Sequence, residues 1–549
     1  MRRKKKILFL SEAAYLNTGY AKYSKEVLSR LHNSKKYEVA ELSVYGSAED
    51  PRRKSIPWKN YPNLPSSNNE KEASFYGNNP ANQFGAWRFE RTCLDFEPDV
   101  VFSIRDFWMD SFVFHSPYRR IFQWAWMPTV DAAPQNPEWI SMFSDADYVL
   151  TYSDWAKRVL EEQAGNTINT VGVASPSASS EYRQMDKKAI RDEFGIPTDW
   201  NIVGTVMRNQ RRKLFPVLIE AFAAYLKKTS DVKTYLYLHT SYPDAGWNLA
   251  ELLHENGISS RVLMSYVCSN CHGFEVSCFQ DAKKVCPYCK SYASTPCNVS
   301  NGISETHLAK IYNLFDLYVQ CANSEGFGLP QVEAAACGTP IACTNYSAME
   351  DIVQKLSAFP IGFSKYKELE TGCDRAVPDK DSIVQILESF FAKNVEERSL
   401  ISKETRDLFE KGYSWDKTTE EWMKIADVCE YADWKQPPRL IKEQKIDMKM
   451  PSTMAFIETI LNTFMYTESH KNSHFSRTIH TDLIRGSSRS SWDSFFSSEF
   501  SPFSDSRQKP CTREIIVKFL SDRLRNYNIW EDVRSNRSKL GDGKASWLN

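Results

Sequence analysis

The sequence lacks the features that mark membrane-spanning, secreted and strongly charged proteins. No apolar run approaches the roughly 18 to 20 residues that a spanning helix needs. The basic residues 2–6 precede only four apolar residues, 7–10, which is too short for a signal peptide, so we interpret them as the entry to a first strand. Basic and acidic residues are equal at 69 each, so no surplus charge draws the whole chain to nucleic acid or anionic lipid.

Cysteine is present in an odd number, 13, and is scattered along a chain in which we find no secretion signal. This usage predicts a reducing, cytoplasmic compartment rather than a disulfide framework. The apolar content of 42% and charged content of 25% are those of a soluble globular protein. At 549 residues the chain has room for about three domains by the usual prior of ~150 residues each.

Six of the cysteines fall in one short segment. Two Cys-x2-Cys pairs are separated by fourteen residues, the spacing of a four-thiolate zinc ribbon. The predicted ligands are Cys268, Cys271, Cys286 and Cys289. Such a site is coordinatively closed, so the zinc would be structural. The neighbours Cys278, Cys297 and His272 are left outside the ligand set. The ribbon, residues 266–299, is predicted either to bind a partner or only to stabilise the fold.

Short apolar strands alternate with helices in both halves of the chain. This order predicts two doubly wound parallel sheets, whose ligands lie at the carboxyl ends of the strands. A Ser, Pro and Ala-rich linker at 175–183 separates the halves, and the polar stretch 47–82 is expected to loop out. The predicted strands are 7–10, 39–44, 100–103, 121–126, 148–151, one starting at 202, 234–238, 261–264, 317–320 and 340–343.

The most informative stretch is SEGFGLPQVEAAACGTPI, residues 324–341. Glu325 and Glu333 flank a glycine-bearing turn that opens into a short helix. Free N–H groups at a helix start attract anions, and a carboxylate one or two turns in can reach ribose or sugar hydroxyls. The stretch therefore predicts a cradle for a diphosphate and a sugar. The alternative is an ordinary Gly-rich turn of an α/β protein, with Glu333 facing solvent.

A second stretch, 203–213, is an apolar strand that ends in a basic loop. Arg208 and Lys213 lie five residues apart in this loop. Paired cations can neutralise a departing diphosphate where no catalytic metal does so. A solvated basic turn is the structural alternative.

Together these stretches resemble the retaining glycosyltransferases of the GT-B fold, particularly family 4 (group 1), with its Glu-x7-Glu and Arg-x4-Lys motifs. The resemblance covers roughly residues 5–430 and implies two Rossmann-like domains facing a cleft. Residues 1–180 would form the acceptor-side domain and 184–430 the donor-binding domain, with the ribbon inserted in it near the cleft rim. The extension 431–549 matches no family. The implied reaction moves a sugar from a nucleoside diphosphate sugar to an acceptor hydroxyl, with retention at the anomeric carbon.

The resemblance also assigns roles to single residues. Arg208 and Lys213 would stabilise the departing diphosphate, and Glu333 would bind the ribose. Glu325 would hold the donor sugar together with the backbone of Gly326, Phe327, Gly328 and Leu329. Gly19 stands where relatives have a glycine pair near the donor, and Asp131 stands near where many have a histidine. No catalytic metal is expected, because the Asp-x-Asp triplets at 145–147 and 379–381 are interpreted as turn or cap residues.

The acceptor stays open at this stage. A glycan, a lipid or a protein is the default, and modified DNA is the alternative, since a zinc ribbon and the basic stretch 470–489 are suited to contact a phosphate backbone. A second hypothesis is a catalytically inactive GT-B scaffold that acts as a binding platform through the ribbon and the extension. The donor base and sugar and the oligomeric state are not predicted.

Overall fold

The computed structural model describes residues 3–298 and 301–436, which form two α/β domains joined by the linker after residue 173. The first domain also has 3-10 helices at Pro51–Ser55, Pro80–Phe84 and Gly165–Thr167. Its strands are β1 (Lys5–Glu12), β2 (Tyr37–Val44), β3 (Lys59–Pro62), β4 (Val100–Ser103), β5 (Gln123–Trp126), β6 (Tyr148–Thr151) and β7 (Thr170–Val173). Its helices are α1 (Gly19–Asn33), α2 (Glu70–Gly77), α3 (Ala86–Phe96), α4 (Phe107–His115), α5 (Pro137–Phe143) and α6 (Asp154–Ala164).

The seven strands of the first domain form one parallel sheet in the order β3-β2-β1-β4-β5-β6-β7. Strand β1 shows why the sheet is covered on both faces. Ile7 and Phe9 pack into one hydrophobic cluster, whereas Leu8 and Leu10 pack into another. A strand buried on both faces has a continuous apolar run, which is how parallel strands of α/β proteins are built.

The second domain contains more strands and helices than the first. Its strands are β8 (Asn201–Val206), β9 (Thr234–His239), β10 (Val262–Cys268), β11 (Phe274–Cys278), β12 (Ser294–Pro296), β13 (Leu317–Gln320), β14 (Ile341–Thr344), β15 (Phe359–Ile361), β16 (Phe363–Lys367) and β17 (Asp374–Pro378). Its helices are α7 (Lys187–Phe194), α8 (Phe215–Thr229), α9 (Leu249–Glu255), α10 (Glu305–Leu314), α11 (Leu329–Ala336), α12 (Met349–Lys355), α13 (Lys380–Phe391), α14 (Val395–Gly412) and α15 (Trp415–Val428), with 3-10 helices at Arg211–Lys213 and Ser259–Arg261.

The second sheet has the order β11-β10-β9-β8-β13-β14-β15, with β12 paired to β10. Strands β10, β9, β8, β13, β14 and β15 run parallel, as the alternating sequence pattern predicts. Strands β11 and β12 are antiparallel to β10 and belong to the cysteine-rich segment, which therefore extends the edge of this sheet. Strands β16 and β17 form a separate antiparallel hairpin.

The stretch 47–82 does not simply loop out, contrary to the expectation from its polar composition. It contains β3, which pairs in parallel with β2 and forms the edge of the first sheet. The buried side chain of Trp58 fixes this segment, because its Nε1 donates a hydrogen bond of 2.9 Å to the buried carboxylate of Glu41. Hydrogen bonds from Asn60 to Glu41 and from the Tyr61 hydroxyl to Asp95 also hold the segment, and composition alone shows none of these pairings.

The last described helix, α15, returns to the first domain, as the resemblance implies. The side chain of Trp422 is fully buried between Phe9 and Phe102, and its Nε1 donates a hydrogen bond of 2.8 Å to the Tyr23 hydroxyl. We keep 1–180, 184–430 and 266–299 as our proposed division of the chain. The basic stretch 470–489 and the rest of the extension after residue 436 lie outside the described residues.

Within 3–298 and 301–436, no helix is long and apolar enough to cross a membrane.

Gly204 offers a test of packing in the centre of β8. A Cβ atom at this position would lie 2.2 Å from the ring of Phe315, which is fully buried. We expect Gly204→Ala to lower the free energy of unfolding by about 1–3 kcal/mol, the usual cost of overpacking a core. Chemical denaturation measures this loss. Gly77→Ala is the matched control, since a Cβ there meets no atom within 4 Å; an equal loss in both variants would contradict the argument.

Candidate functional site

Most of the predicted donor-site residues follow the carboxyl ends of β8 and β13, whereas Gly19 and Asp131 lie in the first domain. These two strands are neighbours in the second sheet although about 110 residues separate them in the chain, so the strand order reverses between them. A crevice opens at such a reversal in doubly wound sheets, and ligands bind there. The basic loop follows β8, and the glycine-bearing turn follows β13.

Glu325 is the centre of this site and is only 8% exposed. Its Oε1 accepts hydrogen bonds from the Lys213 ammonium and, at 2.5 Å, from Nε2 of Gln320, while its Oε2 accepts one of 3.1 Å from Arg212. The backbone N–H of Glu325 donates to the Ser347 hydroxyl at 2.9 Å. The carboxylate is therefore held in one orientation by two cations and one amide.

The charges of this cluster are strongly coupled. Burial alone would raise the pKa of Glu325, but Lys213 and Arg212 outweigh it and hold that pKa below its ordinary value. Burial lowers the pKa of Lys213, and Glu325 only partly opposes the shift. A buried lysine and a buried carboxylate that stabilise each other mark a candidate functional site.

Glu333, in the second turn of α11, is 4% exposed. Its Oε2 accepts a hydrogen bond of 2.9 Å from the Tyr312 hydroxyl, and its Oε1 lies 2.6 Å from the ammonium of Lys22. Lys22 belongs to α1 of the first domain, so this carboxylate is a contact between the domains. The alternative that Glu333 faces solvent is excluded.

The glycines of the turn are required by its geometry. Gly328 precedes α11 with φ of 105°, a left-handed conformation that favours glycine. At Gly326, a Cβ atom would lie 2.5 Å from Cγ2 of Thr129 in the first domain. The side chain of Phe327 packs against clusters of both domains, and Leu329 is the first residue of α11. The turn is thus the place where the two domains approach each other.

The start of α11 offers polar groups without partners. Gly328, the residue before the helix, supplies no side-chain cap. The amide group of Gln331 is fully buried, and neither of its polar atoms has a hydrogen-bond partner within the described part of the chain. This amide lies against Gly328, within the turn that connects Glu325 to Glu333. The Gln331 amide is therefore a buried polar group beside the turn whose hydrogen-bonding capacity the described residues do not satisfy.

Arg208 is not brought to Glu325. Its guanidinium forms hydrogen bonds of 2.8 and 3.1 Å with Asp244, and its side chain is 53% exposed. Arg212 takes the position next to Glu325 instead. In the sequence, Arg212 stands out only as one of three consecutive cations, Arg211, Arg212 and Lys213. In the structure these residues form one short 3-10 helix, which directs successive side chains to different sides.

Asp131 lies at the junction of the domains. Its Oδ2 accepts hydrogen bonds of 2.8 Å from Arg375 and 3.2 Å from the Ser324 hydroxyl. Arg375 is on β17 and also binds Glu368, so the hairpin β16–β17 reaches across to the first domain. No motif in the sequence pointed to Arg375, because its partner lies 244 residues away in the chain.

Gly19 begins α1 and is exposed. Thr18 caps this helix by accepting a hydrogen bond of 3.2 Å from the Ala21 N–H, and its hydroxyl donates to Glu12. A Cβ at Gly19 would meet no atom within 4 Å, so the position leaves space for a ligand beside the helix start. The structure does not place Gly19 in contact with Glu325.

The four predicted zinc ligands come together. Their Sγ atoms all lie within 4.8 Å of one another, with 3.6 Å between Cys268 and Cys289 and between Cys271 and Cys286. A tetrahedron of Zn–S bonds of about 2.3 Å has edges of roughly 3.8 Å, so the cluster fits zinc. Cys278 and Cys297 lie outside the cluster. The group could hold a zinc ion as a structural site, since four thiolates leave no open position.

The Asp-x-Asp triplets serve local structure. Asp379 caps α13 by accepting a hydrogen bond of 3.0 Å from the Asp381 N–H. Asp145 binds Arg119 at 2.8 Å, and Asp147 accepts a hydrogen bond of 2.7 Å from the Trp124 N–H. These contacts agree with the interpretation as turn and cap residues.

Two Rossmann-like domains that face one cleft, with charged groups at the switch point of the second sheet, define the class of fold as GT-B-like. Residues 293–398, which include Glu325 and Glu333, match the family model described as glycosyl transferases group 1. The match spans β12 to the first residues of α14.

Known proteins with similar sequences or structures support the same class. The chain is 25% identical over 209 residues to D-inositol 3-phosphate glycosyltransferase 2 of Catenulispora acidiphila; the alignment covers 38% of this chain and spans 42% of that relative's length. The fold is similar to that of sucrose-phosphate synthase from Thermosynechococcus elongatus, with a TM-score of 0.56 and 15% sequence identity. The superposition covers 77% of this chain and 98% of the other. It is also similar to that of Anabaena Alr3699/HepE in complex with UDP and glucose, with a TM-score of 0.53 and 13% sequence identity. That superposition covers 77% of this chain and 99% of the other. The GT-B-like fold predicted from the sequence is therefore confirmed.

Proposed function

We propose that this chain is a glycosyltransferase that moves a sugar from a nucleoside diphosphate sugar to an acceptor hydroxyl with retention of the anomeric configuration. One observation carries the proposal: Glu325, inside the region that matches the group 1 family, binds the buried Lys213 and the partly exposed Arg212 at the switch point of the second sheet. The inactive-scaffold hypothesis is not favoured, because a decayed site has no reason to retain a buried lysine and a buried carboxylate as partners.

In the proposed reaction the bond between the anomeric carbon and the leaving phosphate oxygen breaks, and the acceptor oxygen bonds to the same face of that carbon. The acceptor proton passes to the departing phosphate. Lys213 and Arg208 neutralise the negative charge that develops on the diphosphate, and the neighbouring Arg212 adds to that field. Such cations do the work for which other transferases use a metal ion, so we propose no catalytic metal.

The remaining residues would position the donor. Glu333 would bind the ribose, and Glu325 would hold the donor sugar together with the backbone of 326–329. Asp131 and Gly19 would line the side of the cleft that belongs to the first domain. Their support is their position at the junction of the domains, since Asp131 binds Ser324 and the Thr129 methyl abuts Gly326.

The donor class is supported by the relatives, one of which was crystallised with UDP-glucose. The acceptor is proposed to be a glycan, a lipid or a protein, with modified DNA as the alternative. The ribbon adds β11 and β12 beside β10, and Cys268 stands at the carboxyl end of that strand, so the cysteine cluster is suited to contact an acceptor at the cleft rim. Salt-dependent binding to duplex DNA would favour the DNA alternative, and its absence at low salt would remove it.

A panel of nucleotide sugars tests the donor site. We expect one donor to stabilise the zinc-loaded protein against heat and to release nucleoside diphosphate slowly. Both signals should be lost in Glu333→Ala and in Arg208→Ala, because the first removes the ribose partner and the second a diphosphate partner. Thermal shift and a coupled assay for nucleoside diphosphate measure them.

Two outcomes would change the assignment. Loss in Arg212→Ala but not in Arg208→Ala would move the diphosphate role to Arg212, an alternative that the ion pair of Arg212 with Glu325 supports. If no nucleotide sugar of the panel stabilised the folded, zinc-loaded protein or released nucleoside diphosphate, the transferase assignment would be rejected. The hypothesis of a catalytically inactive binding platform would then replace it.

A further inference from the structure

Lys22 of the first domain contacts the second domain at Glu333, the carboxylate that we propose binds the ribose. It lies in the first turn of α1, and its side chain is 17% exposed. Its ammonium lies 2.6 Å from Oε1 of Glu333 and 2.8 Å from Oε1 of Glu305, both in the second domain. It also donates a hydrogen bond of 3.2 Å to the hydroxyl of Tyr182 in the linker. No sequence motif singled out this lysine.

Both oxygens of Glu333 are already in use. Its Oε2 accepts from the hydroxyl of Tyr312, a residue that is fully buried in the core of the second domain. Its Oε1 binds Lys22, which is carried by the other domain. Tyr312 is held by the packing around it and Glu333 is only 4% exposed, so a ribose hydroxyl gains access to this carboxylate when Lys22 makes room for it.

Glu305 makes this exchange feasible. It begins α10, and its side chain is 41% exposed, compared with 5% for Glu333. A lysine displaced from Glu333 would therefore keep one carboxylate partner and gain contact with water. Leaving a buried ammonium without any partner would be far more costly.

We propose that Lys22 is a lock on the donor site: it competes with the nucleotide ribose for Glu333 and couples entry of the donor to loosening of this contact between the domains. The proposal rests on the proposed function, since it concerns the same carboxylate. It adds that the affinity for nucleotide is set by the first domain as well as by the second. A ligand shifts such an equilibrium only by its differential interaction with the two states, and Glu333 is the shared partner here.

Two variants of opposite expected sign test the competition. Lys22→Met keeps the apolar stem and removes the competing charge, so the full-length protein should bind UDP at least about fivefold more tightly, the lower end of usual coupling between sites. Glu305→Gln removes the alternative partner of Lys22, so UDP should bind more weakly than to the wild type. The double variant should bind like Lys22→Met, because Glu305 acts only through Lys22. Isothermal titration calorimetry measures all four proteins.

Lys36→Met is the matched control, since Lys36 is exposed beyond the end of α1, and it should bind UDP like the wild type. Unchanged or weaker binding in Lys22→Met would overturn the proposal, and so would a Glu305→Gln effect that persists in the double variant. Lys22→Gln serves the same purpose if the methionine variant fails to fold.

A measurement without nucleotide separates this proposal from the proposed function. A pair of fluorophores on the two domains should show a broader distance distribution in Lys22→Met than in the wild type, whether or not UDP binds. If UDP binds and Lys22→Met changes neither affinity nor distance, the lock is rejected while the donor site stands. If no nucleotide of the panel binds, the donor site and the lock fail together, and a broadened distance would then show only a structural contact.

Discussion

Lys213→Met should lower kcat about 10²- to 10³-fold with the donor that the panel identifies. This is the usual effect of removing one group that stabilises charge developing in the transition state. The side chain is 8% exposed and binds Glu325 directly, and methionine fills a similar volume without supplying the charge. Arg212 still neutralises Glu325 in the variant, and we therefore expect the fold to persist. Steady-state kinetics with measurement of released nucleoside diphosphate checks the prediction.

Lys228→Met is the control for loss of a lysine ion pair as such. Lys228 lies near the end of α8, is 62% exposed and binds Glu388 on the surface, where an ion pair contributes about 0–1 kcal/mol. It should retain wild-type kcat. A Lys213→Met variant that folds and keeps more than about a tenth of wild-type kcat would show that the diphosphate leaves without help from this ammonium.

Cys286→Ser should abolish zinc binding and lower the melting temperature by roughly 10 °C or more. Cys286 is fully buried and lies 3.6 Å from Cys271 across the cluster. Loss of a metal site is among the few single changes that cost more than about 4–5 kcal/mol, and each kcal/mol corresponds to about 2–4 °C in a domain of this size. A small segment such as 266–299 has little core of its own, so the metal would supply its folding energy. Elemental analysis and calorimetry measure both effects.

Cys278→Ser is the matched control, because Cys278 is exposed at the end of β11 and lies outside the cluster. It should keep one zinc per chain and the wild-type melting temperature. If Cys286→Ser retained zinc, or if the purified wild type held none after expression with added zinc, the four cysteines would have to be explained as free thiols.

Short-range patterns predicted most of the fold. The strands at 100–103, 148–151 and 317–320 were placed to the residue, because a buried parallel strand is a continuous apolar run between breaks. The misplaced stretch 47–82 shows the limit: β3 is an edge strand held by Trp58, and its polar sequence has no such run. The hairpin β16–β17 was missed as well, since four of the five residues of β16 are exposed and its sequence has no apolar run.

The candidate site likewise has features that the sequence predicted and contacts that it did not. The sequence by itself determined the four clustered cysteines, the two glutamates around the glycine turn and Lys213 in the basic loop, because each of these patterns lies within about 25 residues of chain and reflects one turn or one pair of knuckles. Only the tertiary structure decided which charges meet. Lys22 reaches Glu333 across 311 residues and Arg375 reaches Asp131 across 244, and Arg208 turns to Asp244 while Arg212 turns to Glu325. Such pairs depend on how two domains pack against each other, and a one-dimensional spacing carries no information about that packing.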